Sequence, residues 1–128
     1  MGRVKHWESK LFDFVKECEG KPFRWGSHDC VTFAKNCVEL ITGEKLDIPK
    51  WRTKKEAIEL LSEKPLDEYT SEVLEEINLN FARRGDVVAT MTDQGLALGI
   101  FLSPNGGFAS RNGISYVPTS NLIKAWRV

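Results

Sequence analysis

Histidine and cysteine are scarce in this chain: two of the first and three of the second among 128 residues. With imidazoles only at His6 and His28, and no Cys-x-x-Cys pair, neither a structural zinc site nor any other metal or cofactor is expected. An odd cysteine count argues against a disulfide framework. If residues 30–41 are helical, Cys30 and Cys37 lie two turns apart, about 10 Å, too far for a bridge. Charge of one sign is not in excess either, because the formal net charge is zero. That weighs against a nucleic-acid partner. The local clusters Lys50/Arg52/Lys54/Lys55 and Arg83/Arg84 have acidic neighbours and read as solvated faces. Long hydrophobic runs are also missing. The stretch 96–102 is interrupted by Gly99 and falls far short of the ~20 residues of a membrane span. The start, Met1-Gly2-Arg3-Val4-Lys5-His6, lacks the apolar stretch of a secretion signal and the Ser or Thr of a myristoylation signal.

What is present is the balance of a folded soluble protein, 41% hydrophobic and 28% charged, at a length suited to a single domain spanning residues 1–128. Val4, Trp7, Leu11, Phe14, Val15 and Cys18 have helical spacing, and Gly20 and Pro22 close that helix. Residues 23–29 read as a loop. Residues 30–42 read as a second helix, with Cys30, Phe33, Ala34, Cys37 and Ile41 on one stripe, Ser27 or Asp29 as its cap and Gly43 as its stop. Cys18 and Cys37 end up on apolar stripes and are expected in the core. Thr53 and Glu56 form a capping box for a helix over 54–63, stopped by Pro65. Residues 66–79 are mixed, with a helical turn expected around 71–77.

The pattern changes at Arg84-Gly85-Asp86. Strands are expected over 87–91, 96–102, 108–110, 114–117 and 124–128, with turns at 93–95, at Pro104-Asn105-Gly106-Gly107 and at Asn112-Gly113, and a helical turn over 119–122. Helices first and an antiparallel sheet second make an α+β domain, with the sheet packed on the Cys30 helix.

Chemistry concentrates in Pro22-Phe23-Arg24-Trp25-Gly26-Ser27-His28-Asp29-Cys30. A cysteine where a loop turns into a helix can be activated, because unpaired N–H groups and the helix dipole favour the thiolate and can hold an oxyanion. On spacing alone the plainer reading of Cys30, a small buried residue opening a core helix, is the stronger one. Phe23 and Trp25 can line a groove beside the thiol or anchor the loop. Trp51 and Trp126 read as core or rim.

Residues 22–43 resemble the cysteine segment of the NlpC-like cysteine peptidases, a minimal papain-like fold of cell-wall hydrolases. Phe23, Trp25-Gly26, Ser27-His28 and Asp29-Cys30 carry the likeness. Arg84-Gly85-Asp86-Val87-Val88 and Leu98-Gly99-Ile100-Phe101-Leu102 resemble the family's first two central strands. The resemblance implies Cys30 as nucleophile, and Trp25, Phe23 and Asp29 as substrate-binding residues. It also implies a histidine at the start of the second strand, where this chain has Ala97. Alanine moves no proton, so the usual base is missing. Ser110 is the candidate for the third polar position. His28 is the nearest imidazole and the alternative base, although a residue two positions away more readily fixes the loop.

With Thr42-Gly43, Trp51-Arg52-Thr53 and the closing Ala125-Trp126-Arg127-Val128, the chain resembles a branch of this superfamily encoded in tailed-phage and prophage tail modules. That implies a place in the virion and tail-hub or distal tail proteins as partners, with peptidoglycan as a further ligand. Two readings follow. One is a structural or binding tail component on a degenerate peptidase fold. The other is a thiol peptidase or amidase acting on peptidoglycan.

Overall fold

The computed structural model describes residues 2–49 and 51–128, so Lys50 of the basic cluster and Met1 lie outside the described residues. Among them are four helices, α1 (Trp7–Cys18), α2 (Cys30–Thr42), α3 (Lys54–Glu63) and α4 (Leu66–Val73), and six strands. The strands are β1 (Glu75–Ile77), β2 (Val87–Thr92), β3 (Gly95–Phe101), β4 (Asn105–Ser110), β5 (Gly113–Pro118) and β6 (Leu122–Arg127). They form one antiparallel sheet in the order β1-β6-β2-β3-β4-β5. The α+β architecture, with the sheet packed on the Cys30 helix, is therefore present.

α2 is the central element because it is apolar nearly all round. Val31, Phe33, Ala34, Cys37, Val38 and Ile41 are all buried, and a helix of this kind must be covered on several sides. α1 covers one side with Leu11, Val15 and Cys18, while β3 and β4 cover another. Each fully buried Phe, Ile or Val of this stripe contributes about 1.5–3 kcal/mol relative to exposure. Gly43 ends the helix in the left-handed region at φ 74°, its N–H bonded to the Glu39 carbonyl.

The strands alternate between two apolar clusters. Val87, Ala89, Leu98 and Ile100 face the helices. Val88, Phe101, Phe108, Leu122 and Ala125 form a second cluster on the other side of the sheet.

Three expectations change in detail. α1 begins at Trp7, not Val4, because His6 is left-handed at φ 63° and the Val4 N–H bonds the Ile41 carbonyl. Residues 66–79 hold a helix and a strand where a turn over 71–77 is expected: α4 starts right after Pro65, and β1 pairs with β6. Asn105-Gly106-Gly107 is strand, not turn. Gly106 pairs with Val117 and Gly107 with Tyr116.

Buried Asp86 ties the chain's ends together. Its carboxylate accepts from the Val128 N–H (3.0 Å), the Arg83 N–H (3.0 Å) and the Arg3 guanidinium (3.1 Å). Arg3 also donates to the Arg84 carbonyl at 2.6 Å and lies over the Trp7 ring.

Candidate functional site

The loop before α2 is held from inside by Asp29. One carboxylate oxygen accepts the Thr32 N–H (2.7 Å) and caps the helix; the other accepts the Gly26 N–H (2.7 Å) and closes the loop. Gly26 sits at φ 84°, and a Cβ there would crowd the backbone of Trp51 and Arg52. The loop and the 51–53 segment are thereby locked together. Asp29 is 1% exposed with both oxygens engaged by backbone, so its expected role as a ligand contact gives way to one of positioning.

This lock leaves Cys30 half-buried on a cavity of about 540 Å³. Phe23 and Trp25 line it, with their rings edge to face at 5.0 Å between centroids. Trp51, Leu61 and Leu66 come from the segment before α3, from α3 and from α4; Leu96, Ala97, Ala109 and Ser110 come from β3 and β4. Lys54, Asp93 and Arg111 are exposed at its edge. Beyond Phe23 and Trp25 the lining is not legible in the sequence, because separated segments converge on it. Trp51, a core or rim residue by its sequence, is part of that lining.

Burial pushes the Cys30 thiol above its ordinary range. The Leu98 backbone N–H opposes this, the Asp29 carboxylate adds to it, and the N–H groups of Val31 and Cys30 at the helix start oppose it again. The helix-end effect expected to activate the thiol is thus present but outweighed by desolvation. Burial raises Cys18 and Cys37 as well. None of the three is in a disulfide.

Ala97, which the resemblance aligns with the family's base, lies on β3 with its side chain on the sheet face turned away from the helices. It borders the cavity, and its methyl packs against the second apolar cluster. His28 is buried and engaged elsewhere: its Nε2–H donates to the Gly113 carbonyl at 2.8 Å, and its ring lies edge-on to Phe33. Gly113 in turn abuts the end of α1, where a Cβ would overlap the Glu19 carbonyl. The geometry gives His28 an anchoring role, tying the cysteine loop to β5, the loop-fixing alternative to a pairing with the thiol. His6 is exposed before α1. Among the described residues no three His, Cys, Asp or Glu side chains converge to hold a metal ion, and no helix is long and apolar enough to cross a membrane.

A family model described as a domain of unknown function, DUF6950, matches residues 2–128. No curated protein matches the sequence. Among solved structures, the chain is similar to RipD from Mycobacterium tuberculosis, described as a non-catalytic NlpC/p60 domain protein with an adaptation to peptidoglycan-binding function. The match has a TM-score of 0.55 at 14% identity and covers 98% of this chain and 99% of RipD. At that identity the likeness is one of fold, and the fold is NlpC/p60-like.

Proposed function

This chain belongs to the DUF6950 family, and from that premise we propose that it is a binding module on a degenerate NlpC-like fold, a tail-tip or tail-assembly component of a phage or prophage whose cleft holds a peptidoglycan fragment without cutting it. One observation carries the reading. The thiol that would attack stands beside a carboxylate, with its pKa raised by burial, while the residue that the resemblance aligns with the base is Ala97 and His28 is committed to Gly113. Loss of one member of a catalytic set removes orders of magnitude of rate. The retained aromatic-walled cavity is then a place for a ligand. RipD, on the same fold, is described as non-catalytic and adapted to peptidoglycan binding, which supports the ligand class. The tail role, with tail-hub or distal tail proteins as partners and the virion as location, rests on the sequence resemblance.

The test is sedimentation with insoluble peptidoglycan, with soluble fragments followed in parallel. Wild type and Cys30→Ser should pellet equally and release nothing. Stable binding to a tail-hub or distal tail protein should accompany this, and a monomer that binds neither would sink the proposal.

The second reading, a thiol hydrolase with Cys30 as nucleophile, draws on the thiol's position on an open cavity with the Leu98 N–H beside it. It requires fragment release by wild type that disappears in Cys30→Ser.

A further inference from the structure

The two edges of the sheet are built differently. β1 closes one edge with three residues, of which Glu75 and Glu76 are exposed carboxylates. A short, charged edge strand resists pairing with another chain. β5 forms the other edge with six residues, Gly-Ile-Ser-Tyr-Val-Pro, and carries no charge. Its register fixes where each backbone group points. The turn into β5 has two residues, Arg111-Asn112, so Ser110 and Gly113 exchange both hydrogen bonds. Alternation then directs the N–H and C=O of Ser115 and Val117 to β4, and those of Ile114 and Tyr116 away from it. Pro118 takes the next outward place, where a missing N–H deprives β4 of nothing. Ser115, Tyr116 and Pro118 are exposed. Beside this edge lies a groove of about 440 Å³ between α1 and the sheet, walled by Phe12, Val15, Leu102 and Tyr116. Phe12 and Tyr116 are each 47% exposed. Lys16 and Glu19 also line it, and Glu19 accepts a hydrogen bond from the Tyr116 hydroxyl.

We infer that β5 is a self-pairing edge: two copies of this chain join antiparallel about a twofold axis at Tyr116, and one sheet runs through the dimer. In that register the outward groups are complementary to themselves. The Tyr116 N–H of each copy donates to the Tyr116 carbonyl of the other, and the Ile114 N–H of each donates to the Pro118 carbonyl of the other. Every outward N–H of the edge thereby finds an acceptor, and the proline falls where the pairing ends. A twofold contact uses the same patch on both copies. Charge agrees with it. Each copy brings one cation and one anion, Lys16 and Glu19, to the side of the axis, and a net charge of zero sets up no repulsion between copies. The two grooves meet beside the axis, which covers the half-exposed rings of Phe12 and Tyr116. The pairing stands whether or not the cleft beside Cys30 holds peptidoglycan.

The experiment is analytical ultracentrifugation of the full chain together with amide hydrogen exchange followed residue by residue by NMR, at low and at high protein concentration. The expected result is a monomer–dimer equilibrium in which the Tyr116 amide exchanges at least about tenfold more slowly at high concentration. The amides of Ser115 and Val117, bonded to β4, should be protected at both concentrations. Tyr116→Pro removes the central outward N–H and no bond to β4. It should sediment as a monomer at every concentration, with the circular dichroism spectrum of wild type. Should that variant prove unstable, the exchange of the wild-type Tyr116 amide decides the matter by itself. A chain that stays monomeric at high concentration overturns the self-pairing. So does a dimer whose Tyr116 amide exchanges as fast as in the monomer, which would put the contact on another face. Protection of Tyr116 that arises only when a tail-hub protein is added assigns the edge to a foreign strand and overturns it as well.

Discussion

Asp29 shows how one side chain can hold a site together while weakening its chemistry. Its two oxygens organise the loop and the helix start, and the same negative charge pushes the adjacent thiol upward. Asparagine can keep the helix cap through its one acceptor oxygen, at the cost of the bond from the Gly26 N–H, which its NH2 cannot accept, and it carries no charge. In Asp29→Asn the pH at which Cys30 alkylation by iodoacetamide reaches half its limiting rate should therefore move down, toward that of a thiol in unfolded chain. An unchanged or higher midpoint would mean that the carboxylate has no hold on the thiol. The cap was legible in the sequence, because capping depends on neighbours three residues away. The partners of Asp86 and His28 were not. Arg3, Val128 and Gly113 lie 83, 42 and 85 positions distant, and no local pattern encodes such pairs. For the same reason the sequence could align Ala97 with the family's base position but could not show that the nearest imidazole is engaged elsewhere.

At the scale of elements, glycine was the most misleading residue. Gly106-Gly107 looks like a turn, yet both glycines lie in β4 because side chains press on them. A Cβ at Gly106 would come within 2.8 Å of the Phe108 ring, and one at Gly107 within 2.9 Å of Leu102. Gly99 on β3 is tighter still, since a Cβ would overlap the Gly107 carbonyl and the Phe108 ring. Gly99→Ala should destabilise the fold by about 1–3 kcal/mol, the cost of overpacking a close-packed core, seen as a lower urea midpoint with unchanged slope. A midpoint equal to wild type would show that β3 and β4 can separate freely. The helices were easier to read. α2 and α3 have both a cap and an apolar stripe within their own residues. α4 lacks a side-chain cap and borrows its stability from Tyr69 Oη bonding the Leu60 carbonyl and from Lys124 paired with Asp67, so its existence depends on partners elsewhere in the chain.

Over the whole molecule, the three thiols act in one direction. Burial raises each of them above its value in the unfolded chain. The folded state thus holds these protons longer than the unfolded state does. Their contribution to stability is fully present below the unfolded thiol value, about 8.5, and is lost as pH rises from there through the folded values. Tyr116, pushed up to about 12 by burial and by its bond to Glu19, extends the trend to higher pH. The melting temperature should fall steadily above pH 8.5, and replacing Cys37 by alanine should flatten that fall while lowering the starting point. A melting temperature independent of pH between 8 and 10 would contradict this.

The junction at Asp86 has a geometric consequence. Arg3 and Val128 meet on one carboxylate, so the two are neighbours in space although 125 positions separate them in sequence. The fold is in effect a ring closed by ionic and hydrogen bonds instead of a peptide bond. Any polypeptide fused before residue 2 and any fused after residue 128 must leave from the same corner, side by side, and a short covalent link between them would complete the ring without stretching it.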